Sequence, residues 1–480
     1  MRLHYDVAPL FAVDPRITVS YTVPAGPGAS KYRHQAELFA HRHRLPLVPW
    51  SELPTIGADL LLTSSPRPEM LSLGIPVATL PHGAGHNRFL PETEGVAGLS
   101  RDHLRTIDGT IPSLISLPGK AALDRLRTDA PEAAERAVVT GDLCFERILD
   151  SRSLRDEYRR ALGITPEQAL VTVTSTWGRD SLIGRHVDLV SRLHEMIDLD
   201  STSLAYIPHP NIDGAHQAGS AALVQHHLTN GLVMVPPEEG WRALLIASDY
   251  VLGDHGSVTY YAAALGKKVA IGEFGFDEMP EDGPLAELGR SLPRLPLSEN
   301  IFDELFRVPA VDPESTAQVL DRDVDCPSAV FAESVYDRLG IPAPRLSKPR
   351  QLPLPDLEIG HARPKSWAVD RRGGGMVRRP LCDPTRPPIT HPVAADVSCL
   401  SSSIKAEATL ITRLHLPPLG RRSARTEAER VMSGYPRCSM TAMGTDERTV
   451  LVTFRDGRSV EVPWEVGVEK ELGKMLLSAD

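Results

Sequence analysis

Short apolar runs alternate with amphipathic stretches through the first two thirds of the chain. Residues 17–23 (ITVSYTV), 58–63 and 76–80 carry the pattern of strands, and 31–42 has helical spacing between them. A short strand is predicted at 137–140, closed by Gly141-Asp142. An amphipathic helix at 152–162, ending at Gly163, reads as a crossing between domains. A second series follows: strand 170–175, helix 183–196, strand 204–207, helix 215–228, strand 232–235, helix 241–247, strand 249–253, helix 257–265 and strand 268–271. This rhythm predicts an α/β protein built from two Rossmann-like doubly wound domains, 1–140 and 141–342, facing across a cleft. Ligands in such domains sit beyond the carboxyl ends of the strands. The opening residues read as the end of a helix feeding a strand, so a first strand is expected to precede Met1.

The pattern breaks near residue 343. Proline is dense in the stretch that follows, which holds 10 of the chain's 42, so 343–395 is expected to be a flexible proline-rich linker. Its basic residues Arg371, Arg372, Arg378 and Arg379 read as a solvated flexible face. Order returns in 396–480, a small appended α+β segment whose clearest feature is a hairpin, 449–454 and 459–462, turning at Asp456-Gly457. With 62 acidic against 52 basic residues the net charge is -10, a field that repels nucleic acid, so no nucleic-acid partner is expected and any anion site must be local. The five cysteines are scattered without C-x-x-C spacing, and no metal site or cofactor is expected from them. No apolar run reaches the roughly 18 residues of a membrane helix, and no signal segment opens the chain. A cytoplasmic location follows as the expectation.

Several loops at predicted strand ends carry reactive side chains. Gly253-Asp254-His255-Gly256-Ser257 joins a strand to a helix, where orphan N–H groups and the helix dipole favour an anion. Asp254, His255, Gly256 and Ser257 are candidate phosphate ligands there, against the alternative of an ordinary capped turn. Residues 81–88 hold Gly83, His82, His86, Asn87 and Arg88, a mixture suited to a general base or a phosphate. His209 stands between two prolines that present its ring. Ser175, Thr176 and Arg179 end the first strand of the second domain with hydroxyls and a cation. Glu238 and Glu239 open a predicted helix, either as ribose ligands or as complements to its dipole.

Together these segments resemble the glycosyltransferase-B fold and, within it, the CDP-glycerol glycerophosphotransferase family. The likeness rests on His82-Gly83 after an N-domain strand, His209-Pro210 after a C-domain strand, and Gly253-Asp254-His255-Gly256-Ser257-Val258, where the family has Asp-Tyr-Ser-Ser-Val at a helix start. It spans roughly residues 17–340. The resemblance implies a nucleotide-diphosphate donor, CDP-glycerol or a sugar nucleotide, whose glycerophosphoryl or glycosyl group passes to an acceptor hydroxyl. The acceptor it implies is a cell-envelope precursor or a secondary metabolite, with peripheral membrane contact. His82 is then the expected base, with His209 and Ser257 on the donor diphosphate. A sugar-nucleotide epimerase or hydrolase of the same fold, and a non-catalytic nucleotide- or protein-binding descendant, stand as alternatives.

Overall fold

Two parallel sheets carry the first 271 residues in the computed structural model, which describes residues 1–25, 33–89, 95–215, 219–298, 300–345, 351–357, 364–372, 375–382, 392–399, 401–465 and 467–478. The N-terminal sheet holds β1 (Leu61–Thr63), β2 (Val77–Thr79), β3 (Leu114–Leu117) and β4 (Ala137–Val139), parallel and in chain order. The second sheet holds β5 (Ala169–Thr174), β6 (Thr202–Ile207), β7 (Val233–Met234), β8 (Tyr250–Gly253) and β9 (Lys268–Ile271). Its order, β7-β6-β5-β8-β9, reverses between β5 and β8, the doubly wound arrangement. The loops after β5 and β8 therefore lie side by side at the carboxyl edge, and the loop after β6 is next to them.

Alternation along these strands supplies a core on each face. Leu170, Val251, Val269 and Ile271 join one apolar cluster, while Val171, Val173, Leu252 and Ala270 join the other. The N-terminal sheet is closed differently. Helix Pro327–Leu339 returns from far along the chain, and its Phe331, Val335 and Tyr336 pack with Val7, Phe11, Leu80 and Leu114. Tyr336 donates a 2.9 Å hydrogen bond to Asp14.

Two expectations need correction. Residues 17–23 do not form a strand: Tyr21 makes one isolated parallel bridge with Leu47, because the partner segment is interrupted by Pro46 and Pro49, which lack an N–H for a ladder. Nor is 343–395 a flexible linker throughout. It supplies β10 (Ser366–Arg372), β11 (Gly375–Pro380) and β12 (Val393–Asp396) to a mixed seven-stranded sheet completed by β13 (Leu410–Arg413), β14 (Met440–Gly444), β15 (Thr449–Phe454) and β16 (Ser459–Pro463). The segments 346–350, 358–363, 373–374 and 383–391 lie outside the described residues. Poor composition is offset by distant partners: Trp367, Val369 and Ala394 are buried against Leu410, Met440 and Val452. Proline stands at the end of edge strand β11, where its missing N–H costs little. The expected hairpin is present as β15 and β16.

This third unit is bound to the second. Arg378 grips Asp200 with two nitrogens at 2.8 and 3.1 Å and lies over the Trp367 ring, while its carbonyl accepts from the Leu199 N–H at 2.9 Å. A strap at 351–357 also seats Leu352, 3% exposed, whose carbonyl accepts from Tyr158 and whose N–H donates to Ser151. Leu352→Ala should lower stability by about 2–5 kcal/mol, the usual range for emptying a buried leucine site. Urea unfolding measures this, and an unchanged midpoint would show that the strap carries no part of the core.

Candidate functional site

The loop after β2 crosses to the second domain. Gly83 lies so close to Ser257 that a Cβ on it would stand 2.3 Å from Oγ and 3.1 Å from Cβ of that serine. Only glycine permits this approach. Further along, Arg88 forms an ion pair with Glu278, donates to the Trp177 carbonyl at 3.3 Å and stacks over the Trp177 ring, its guanidinium carbon 4.9 Å from the centroid. The Phe89 N–H adds a 2.8 Å bond to the Glu278 carbonyl. The segment 83–89 is thus an interdomain bridge, in which the sequence-predicted Gly83 meets Ser257 and Arg88 meets the loop after β5.

His209 belongs to the same place. Its ring lies 6.5 Å from that of Trp177 between centroids. Its pKa is depressed to about 3, by enclosure first and then by the neighbouring His82 and Arg88, so the neutral ring persists. Nδ1 accepts the Asn211 N–H at 3.1 Å, which puts the remaining proton on Nε2. His209 is a neutral hydrogen-bond donor. His82 is reachable by solvent yet walled in by protein, and this enclosure, with Arg2 nearby, lowers its pKa below 6.5. It is an unprotonated base at neutral pH.

Helix Ser257–Ala264 starts without a side-chain cap. Its first-turn N–H groups have no partner within the helix, and Ser257 is exposed. The turn before it is differently employed from what its sequence suggests. Asp254, buried, accepts from Ser175 Oγ at 2.8 Å and from the N–H groups of Thr176, Leu182 and Gly256 at 2.9, 2.9 and 3.0 Å. The carboxylate occupies the cradle of amides that a phosphate would need. Asp254, Ser175, Thr176 and Gly256 are therefore not placed as phosphate ligands; they fasten the loops after β5 and β8 to each other.

His255 is also a fastener. Its Nδ1 accepts the Gly275 N–H at 3.0 Å, so Nε2 carries the proton and donates to Glu278 at 3.1 Å. Glu278, on the turn Phe276–Glu278, is held below the usual carboxylate range: burial acts against this, and the bond from His255 and the charge of Arg88 prevail. Glu278 was not foreseen, because nothing in its local sequence marks it. Glu238 and Glu239 prove to be ion-pair partners rather than ribose ligands. Glu238 pairs with Arg42 at 2.9 Å, and Glu239 with Arg147 at 3.0 Å and with Arg242, whose two guanidinium groups also hold the buried Asp6. Arg179 is exposed on its loop.

A cavity of about 320 Å3 adjoins the bridge without containing His82, His209 or Ser257. Gly85, His86 and Asn87 form one side of it, helix Lys120–Asp129 and residues 279–286 the others, and an Arg125–Asp282 ion pair of 2.8 Å joins these walls. Asn87 is spent on the Ala84 carbonyl at 2.5 Å. His86 bonds the Ala97 carbonyl through Nδ1 at 3.1 Å, and burial pushes its pKa down to about 4. The cavity thus takes its lining from Gly85, His86 and Asn87 of the loop, and not from His82.

His86 and His209 bind a proton less readily in the folded chain than a free imidazole, whose pKa is 6.5. Their contribution to stability is complete above about pH 6.5 and is lost as the pH falls toward the folded values, because the unfolded chain then takes up protons that the folded one excludes. Urea midpoints should therefore drop from neutral pH downward, with a shallower drop in His86→Asn and His209→Asn. Equal pH slopes in all three proteins would contradict the assignment of neutral rings.

A scan against protein-family models found no match, and a search of curated proteins found none. Solved structures to which the chain is similar include the wall teichoic acid polymerase TagF, at 14% identity and TM-score 0.40, covering 71% of this chain and 93% of that one. Another is the UDP-GlcNAc 2-epimerase from Neisseria meningitidis bound to UDP-GlcNAc, at 13% identity and TM-score 0.37, covering 65% and 83%. A third is HepE from Anabaena in complex with UDP and glucose, at 15% identity and TM-score 0.36, covering 63% and 88%.

Proposed function

We propose that the chain is a transferase that holds a nucleotide-diphosphate donor at the carboxyl edge of the second sheet and passes a glycerophosphoryl or glycosyl group to an acceptor hydroxyl. The observation that carries this reading is that Gly83 of the first domain lies against Ser257 at a helix N-terminus of the second, with His82 next to it in the chain and electrostatically coupled to His209. A base and two kinds of anion-stabilising donor stand together there. His82 takes the acceptor proton as the acceptor oxygen bonds to the phosphorus or anomeric carbon of the donor. The bond to the departing nucleotide breaks with its electron pair, and His209 Nε2–H and the first-turn amides near Ser257 receive the charge.

Calorimetry with CDP-glycerol, CMP, UDP-sugars and GDP-sugars tests the reading. One nucleotide class should bind, and Ser257→Ala and His209→Ala should weaken it about tenfold or more, as expected for loss of a hydrogen bond to a charged group. His82→Ala should keep the affinity and lower turnover by about 100-fold or more. Gly83→Ala should impair both, because its methyl displaces the loop from Ser257. Binding without any group transfer would favour the non-catalytic alternative, and release of a free sugar or an epimerised nucleotide would favour the hydrolase or epimerase. No binding by any nucleotide would overturn the donor site.

A further inference from the structure

Away from the cleft, three side chains that the sequence places far apart come together in a buried cluster. His194 lies on helix Leu189–Met196, His227 on helix Gln225–Leu228, and Cys382 just beyond β11 in the third unit. His194 Nδ1 stands 3.2 Å from His227 Nδ1 and 3.6 Å from Cys382 Sγ, and one ligand atom from each residue lies within 4.8 Å of the other two. All three residues are buried. We propose that His194, His227 and Cys382 bind a zinc ion that fastens the third unit to the second domain.

Geometry supports the metal. Zinc bonds of about 2.05 Å to nitrogen and 2.3 Å to sulfur, at tetrahedral angles, require N···N edges of about 3.3 Å and N···S edges of about 3.6 Å. The cluster has one edge of each kind already, and its third edge, between His227 and Cys382, is within 4.8 Å. Two imidazoles and a thiolate are the borderline-to-soft donors that zinc prefers, and no carboxylate in the cluster biases it toward magnesium or calcium. The hydrogen-bond pattern points the same way. The two Nδ1 atoms face each other, so only one proton fits between them, and His194 Nε2 is buried with no hydrogen-bond partner among the described residues. Zinc would use both Nδ1 lone pairs at once. The Cys382 thiol proton leaves to solvent on binding, and water completes the fourth position.

The same interface is already joined by Arg378 with Asp200 and by Asn230, whose Oδ1 accepts from the N–H groups of Lys365 and Ser366. A metal here would close a loop of chain between His194 and Cys382 and act as a staple across it.

Metal analysis of the full-length protein after exposure to zinc, paired with cobalt(II) titration, tests the proposal. The expected result is one zinc per chain and, with cobalt, the visible absorption of a tetrahedral thiolate-bound ion. Both should be lost in Cys382→Ser and in His194→Asn, and retained in the control Cys326→Ser. A chelator should lower the Tm of the wild-type protein, and added zinc should restore it. That arm decides the matter even where a ligand variant does not fold. Failure of the wild-type protein to take up either ion, or uptake that survives loss of Cys382 and His194 together, would overturn the site.

Discussion

The buried carboxylate of Asp142 is the junction on which the arrangement of the cleft depends. It caps helix Leu143–Asp150 by accepting the Phe145 N–H at 2.7 Å, pairs with Arg2 at 2.7 Å, and accepts from Tyr261 at 3.1 Å. Arg2 passes the constraint on, donating from its other nitrogen to the Gly83 carbonyl at 2.8 Å. One charge thus ties the opening segment, the domain crossing, the helix that begins at Ser257 and the loop that lies over it. Burial opposes the charge on Arg2, and Asp142 outweighs that opposition only together with Tyr261, Cys144 and Asp6. Deleting one member of such a pair leaves an uncompensated buried ion and costs about 3–5 kcal/mol. Gly141, at φ +77, makes the turn possible, since a Cβ there would stand 2.8 Å from Pro327.

A second carboxylate governs the electrostatics at the edge of the sheet. Asp254 fills the amide cradle after β8, so the N–H groups of Thr176 and Gly256 are already satisfied within the protein. His255 and Glu278 continue the fastening outward to Arg88 and Trp177. The residues that look most like phosphate ligands in the sequence are the frame, and fewer groups than expected face the cleft. This is a common outcome of low-dielectric packing: a buried polar side chain is used for the hydrogen bonds nearest to it, and only the exposed members of a motif stay available to a ligand.

The legible part of the fold was its periodic part. β9 was read residue for residue, β8 and the helix from Ser257 within a residue, because continuous apolar runs ended by small polar residues leave little choice. β3 was hidden in a charge-mixed stretch, since four residues flanked by helices give too short a signal. The strands of the third unit were hidden for another reason: Trp367 and Val369 gain their burial from residues up to a hundred positions away, which composition in a local window cannot register. The loops carrying His82, His209 and Ser257 could be named from strand ends alone. The roles of Arg2, Asp142 and Glu278 could not, because each depends on partners in another domain. Cysteine spacing is equally blind to Cys382, whose neighbours are His194, 188 positions earlier, and His227.

Helix Pro327–Leu339 has a consequence for how the chain comes into being. The sheet of β1 to β4 leaves the ribosome long before the helix that covers it, and the Tyr336–Asp14 bond spans 322 positions. During the intervening synthesis Phe11, Leu80 and Leu114 have no lid, and at about 5–20 residues per second this interval lasts on the order of ten seconds or more. The second domain, whose core is drawn mostly from residues 143–320, can condense first and offer a finished surface. The sheet of β1 to β4, although translated before the second domain, then matures after it, and nascent chains stalled before residue 327 are the ones most in need of a chaperone.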